Sequence, residues 1–101
     1  MKAFLGIWEG SWGGVLQSRL AIEKIDLKTV IVVYGYADHP QGIFKGGFFR
    51  ETARVIPPRT IEWGGGNKAK FSFTMGKGFN TIEGTREFQG QIDRIIMRKK
   101  E

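Results

Sequence analysis

Phe4-Leu5-Gly6-Ile7-Trp8-Glu9-Gly10-Ser11-Trp12-Gly13-Gly14 stands near the start of the chain. Successive side chains of an extended backbone alternate between two faces, so Phe4, Gly6, Trp8, Gly10 and Trp12 all share one face. Alternating large rings with glycine lets a strand bend tightly while the rings fill the room opposite the glycines. The segment is therefore predicted to be a barrel-closing strand, with Trp8 and Trp12 turned toward the core.

Outward from this segment the pattern stays extended. Leu16, Leu20 and Ile22 share one parity and Gln17, Arg19 and Glu23 the other, a period of two. Asp26-Leu27-Lys28 turns the chain into Thr29–Tyr36, a β-branched run apolar on both faces, and the two runs are predicted to pair as a hairpin. Asp38-His39-Pro40-Gln41-Gly42 supplies the next reversal, because proline fixes φ and lacks a donor while glycine accepts positive φ. Between residues 43 and 55, Phe44, Gly46 and Phe48 lie on one parity and Phe49 and Ala53 on the other. The Gly46-Gly47 pair predicts a bulge or bend inside that strand.

After Pro57-Pro58, further strands are predicted over 60–63, 69–75, 80–86 and 92–98, with glycine-rich reversals between them. Phe71, Phe73 and Met75 form the cleanest alternation and are predicted to point inward. No helical stripe of useful length competes. About eight short strands, each reversing on the last, predict an all-β, antiparallel up-and-down barrel, with a β-sandwich as the alternative.

A chain of 101 residues supports one core, so a single domain over 1–101 is expected. At 41% hydrophobic and 26% charged, the composition is that of an ordinary globular protein. The absence of cysteine excludes disulfides and thiolate metal sites. The apolar run after Met1-Lys2 is shorter than a signal peptide core, and no segment has the length of a membrane-spanning helix, so a cytoplasmic location without membrane insertion is expected. The net charge of +6 invites a polyanion partner, yet the basic residues are spread and only Arg98-Lys99-Lys100 forms a run.

Gly6-Ile7-Trp8 resembles the Gly-x-Trp signature of the lipocalin and calycin-like β-barrels. The resemblance implies an arginine on the last strand covering the tryptophan, a part open to Arg94 or Arg98, so that Gly6, Trp8 and that arginine close the barrel. It also implies an apolar ligand in the barrel mouth. Lipocalins are considerably longer than this chain, which implies a shallow cup. The string GIWEGSWGG, followed by VVYGY, GGFFR, IEGTRE and IIMRK, is similar to small bacterial domains of unassigned function with a Trp-x-Gly-x-Trp-x-Gly opening. That likeness covers nearly the whole chain and implies no mechanism.

Chemistry-bearing residues are sparse. His39 is the single histidine and sits in a predicted turn; with Asp38 it offers two ligands where zinc sites take three or four, so no metal or cofactor is expected. A haem barrel of the nitrobindin type would need a histidine near the C-terminus, where this chain has none. The carboxylates Glu9, Glu51, Glu62, Glu83 and Asp93 fall on different strands without a convergent acid, base and nucleophile, so an enzyme is not expected.

The expected function is the binding of a small apolar or aromatic molecule at one barrel end by Trp12, Tyr34, Tyr36, Phe48, Trp63 and Phe73, with Arg50 as the polar contact. A second reading is a nucleic-acid or polyanion binder using Lys45, Arg50, Lys68, Lys70 and the basic tail. A third is a structural homo-oligomer built on an exposed edge or apolar patch. Parity separates the first two, since a ligand cup needs its rings inside and a nucleic-acid surface needs them outside beside the cations.

Overall fold

The computed structural model describes residues 4–12, 16–25, 29–36 and 46–100. Eight strands follow one another: β1 (Gly6–Trp12), β2 (Leu16–Ile25), β3 (Thr29–Tyr36), β4 (Gly47–Ile56), β5 (Thr60–Gly64), β6 (Lys70–Met75), β7 (Thr81–Phe88) and β8 (Gln91–Lys99). Each pairs antiparallel with its predecessor, and β8 returns to β1, so the sheet is a closed up-and-down barrel and not a sandwich. The predicted turns at 26–28 and 38–42, and with them His39, Phe44 and Lys45, lie outside the described residues.

The interior is set by the period of two. β1 turns Trp8 and Trp12 inward, β2 Leu20 and Ile22, β3 Val30, Val32 and Tyr34, and β6 Phe71, Phe73 and Met75, and all of these are buried. One predicted irregularity moves. Gly47 opens β4 instead of bending it, and the register shift lies in β2 between Ile22 and Lys24.

Ring against glycine is the packing rule inside as well as at the start of the chain. Phe73 is paired across the sheet with Gly84, and a Cβ at Gly84 would run into the Phe73 ring and lie 2.9 Å from Ile95 Cγ2. Gly10 allows a different close approach, where an added Cβ would lie 2.5 Å from the Ile96 carbonyl oxygen of β8 and 3.0 Å from Met97 Cγ. Without a side chain at these two places the walls approach closely enough to bury the large side chains between them.

Closure at the β1 end differs from the expected pattern. Gly6, at a φ of 128°, leads from the turn carrying Phe4 into β1, and the Phe4 carbonyl accepts a hydrogen bond from Trp8 Nε1 at 2.9 Å. Phe4 and Trp8 are both buried, and together they plug this end. Arg94 and Arg98 are exposed on the outer wall, with Arg98 opposite Glu9 in the β1–β8 register. The cation over Trp8 is Lys99, whose Nζ lies 5.5 Å from the ring centroid. The reason is parity: Ile95 and Met97 face inward, so Lys99 follows them and Arg94 and Arg98 do not.

Candidate functional site

The far end of the barrel, where β1, β3, β5 and β7 finish, is built differently. β5 has only five residues, and its pairing with β4 covers only Arg54, Val55 and Ile56. Positive φ at Gly64, Gly65 and Gly66 then carries the chain over into β6. At Gly64 a Cβ would strike the Ala69 carbonyl oxygen, so the left-handed turn there also requires the bare backbone. The first half of β4 consequently stands off from β5. Between them lies a recess of about 200 Å³ lined by Phe49, Glu51, Trp63, Lys68 and Phe71, with the backbone of Gly64 and Ala69.

Aromatic rings form its floor. Trp63 stacks on Phe71 at 5.1 Å and on Phe73 at 5.5 Å, while Tyr34 lies 5.3 Å from Phe49 and 5.0 Å from Phe71. Behind the rings sits a buried polar cluster. Trp12 Nε1 donates to the Tyr34 hydroxyl at 2.6 Å, and that hydroxyl is 3.0 Å from Ser18 Oγ.

The three tryptophans thus differ in one respect. The indole N–H of Trp8 and that of Trp12 are engaged, whereas Trp63 Nε1, on a side chain only 2% exposed, has no hydrogen-bond partner among the described residues. An unmet buried donor costs about 1–3 kcal/mol.

Of the residues expected at the ligand site, Trp12, Tyr34, Tyr36, Trp63 and Phe73 face the interior. Of these only Trp63 lines the recess: Phe73 is sealed beneath the stack, Trp12 and Tyr34 lie behind it, and Tyr36 lines a separate groove with Ser18 and Arg19. Phe48 and Arg50 are corrections: Phe48 is 79% exposed on the outer wall, and Arg50 pairs there with Glu23 at 3.1 Å. Phe49 takes the inward place, on the same parity as the fully buried Ala53. Counting back from Ala53 finds it; the adjacent Phe48-Phe49 pair by itself does not. Phe71 also lines the recess and was not singled out for it by the sequence reading, while Ser18 sits behind it on the Tyr34 hydroxyl.

The acidic residues separate in the same way. Glu9 bonds to Arg19 and lies 3.6 Å from Lys100, Glu62 holds Arg54 and Lys70, and Asp93 lies 3.8 Å from Arg86. The hydrogen bond and charge of Arg19 hold the Glu9 carboxyl below its usual range. Glu83 is exposed on the outer wall. Glu51 alone among these five faces the recess. No group of three metal-binding side chains exists among the described residues.

Burial pushes the Tyr34 phenol above its ordinary value near 10, against the opposing effect of its bonds to Ser18 and Trp12. A raised folded-state value means that the fold favours the protonated phenol. Its contribution to stability is complete below about pH 10 and is lost as the pH rises beyond that. Denaturant midpoints of Tyr34→Phe should therefore fall less steeply than those of the parent between about pH 10 and pH 11.5. Parallel alkaline limbs in the two proteins would contradict this.

Comparison with known proteins finds no matching family model, no matching curated protein and no matching solved structure. Among the described residues, no helix is long and apolar enough to cross a membrane.

Proposed function

We propose that this barrel binds a small planar ligand at its far end, in the aromatic recess between β4 and the β5–β6 hairpin. The observation that carries this reading is the recess itself, walled by Phe49, Trp63 and Phe71 where β4 and β5 part. The ring faces favour a flat partner. A cavity of about 150 Å³ already accommodates benzene, while drug-sized ligands occupy about 300 Å³ or more, so one or two fused rings suit the space.

The outer wall gives a polyanion partner less support. Arg19, Arg50, Arg54, Lys70, Arg86 and Lys100 are each tied to a carboxylate, which leaves fewer cations for a polyanion. Phe48, Ile92 and Ile96 are exposed there, the material a homo-oligomer would use.

The indole N–H resonances test the proposal directly. With three tryptophans, a ¹⁵N-labelled sample has three such signals, and Trp63→Phe identifies one by its loss. A panel of bicyclic heteroaromatics that offer an acceptor should move the Trp63 signal while leaving that of Trp8, bonded to Phe4, in place. If no member moves it in the folded protein, the recess is not a ligand site.

A further inference from the structure

The recess opens beside a length of strand edge that lacks a neighbour, and the two together define the kind of partner they fit. β4 pairs with β3 from Gly47 to Arg54, but on its other side only Arg54, Val55 and Ile56 meet β5. Continued in that register, Trp63 and Gly64 would stand beside Ala53 and Thr52, so β4 from Gly47 to Glu51 runs past the end of β5 altogether. Every second residue of a strand directs its N–H and C=O to the same side. Between Gly47 and Ala53, the groups directed away from β3 therefore have no strand partner among the described residues. Such an edge is a template for another extended backbone.

Side chains on both faces of this edge suit the same partner. Phe49 and Glu51 line the recess, while Phe48, on the outer face, is 79% exposed, more than any other large apolar side chain among the described residues. Aromatic and β-branched residues stabilise neighbouring strands through cross-strand pairs. Resting on the recess as the site for a flat group, we infer that this group is a side chain: the barrel binds an extended peptide segment that adds as a short strand to the free edge of β4. One aromatic residue of the peptide enters the recess, and its neighbours on the other face cover Phe48. Main-chain hydrogen bonds supply the affinity, and the recess, at about 200 Å³, selects for a single ring system.

Two other occupants use less of what is there. A free ring fills the recess but leaves the β4 edge unpaired and Phe48 uncovered. A second copy docked β4 against β4 would use the edge but bring no ring to either recess, because each Phe49 is held in its own barrel, 5.3 Å from Tyr34. The net charge of +6 on every chain opposes that pairing further.

The test leaves the protein unaltered and changes the peptide. The probes are acetyl-Thr-Thr-X-Thr-Thr-amide, with X as Phe, Tyr or Trp, and the single residues acetyl-X-amide, titrated calorimetrically into the whole chain. The tightest pentapeptide should bind at least about tenfold more tightly than its single residue, because it adds two or three main-chain hydrogen bonds. N-methylation at its second and fourth residues, or at its third and fifth, blocks N–H groups on opposite edges. One pattern should lower the affinity at least about tenfold and the other less than about threefold. On the protein, alternate amide hydrogens between Phe48 and Ala53 should exchange at least about tenfold more slowly in the complex. A pentapeptide no tighter than its single residue, equal effects of the two methylation patterns, or unchanged exchange along β4 overturns the inference while leaving the recess a site for rings. So does a dimer in light scattering whose β4 amides are already protected without peptide, since the edge then belongs to a second copy. If neither the peptides nor the heteroaromatic panel bind, the recess itself is not a site and the inference falls with it.

Discussion

Trp8→Ala should leave the protein largely unfolded near physiological temperature. Trp8 has no exposed surface, closes the β1 end beside Phe4, and donates its indole N–H to the Phe4 carbonyl. Replacing a fully buried tryptophan by alanine costs about 3–5 kcal/mol. The carbonyl left without its donor adds about 1 kcal/mol or more where water cannot reach it. A domain of this size has a total stability of about 5–15 kcal/mol, so the loss takes a large fraction of it. In thermal melts followed by circular dichroism, the midpoint should fall by roughly 15 °C or more. Trp8→Phe, which keeps a ring in place and removes the donor, should fall by much less. A midpoint for Trp8→Ala within about 5 °C of the parent would mean that the plug is not structural.

Gly84→Val separates packing from strand propensity, because the two predict opposite signs. β-Branched residues favour strands over glycine by up to about 1 kcal/mol, so on propensity alone valine at the centre of β7 would stabilise. The inward face of Gly84 is filled by the Phe73 ring, whose Cδ1 would lie 2.6 Å from an added Cβ. That ring is fully buried and stacked against Trp63, so it has nowhere to swing. Overpacking of this kind costs about 1–3 kcal/mol and more when the neighbour cannot yield, so the expected change is a loss of at least about 2 kcal/mol. Shortening the neighbour should relieve it. Gly84→Val introduced into Phe73→Leu should cost at least about 1 kcal/mol less than in the parent, the coupling expected of two groups competing for one space. A rise in the midpoint on Gly84→Val alone would contradict the packing described.

Both substitutions act on features that differ in how far they can be read from residues. Trp8 as a core plug follows from its parity with Phe4 and Gly6, since alternation in an extended chain is a local property and needs no partner strand. Strand number and order follow in the same way, because glycine and proline punctuate runs whose period of two is set by the backbone itself. Gly84 is different. Only the β6–β7 register places it opposite Phe73, and register is a relation between segments.

The candidate site divides along the same line. Trp63 and the inward rings of β6 are evident from alternation, but Tyr34 lies on a run apolar on both faces, and the choice of Phe49 over Phe48 needs the strand's own reference point, the buried Ala53. Lys99 replaces Arg94 and Arg98 over Trp8 for a similar reason, its parity being counted from Met97. The recess depends on still more. It exists because β5 stops at Gly64 after pairing with only three residues of β4, which leaves Glu51 and Trp63 lining a gap. The alternating rings and glycines that begin at Phe4 are enough to dictate strands with inward rings, and the pairing of β8 with β1 decides that they close as a barrel and not a sandwich. Where that barrel fails to seal is a matter of how long two neighbouring strands stay paired, and hydrogen bonding between distant segments settles that only when the whole sheet closes.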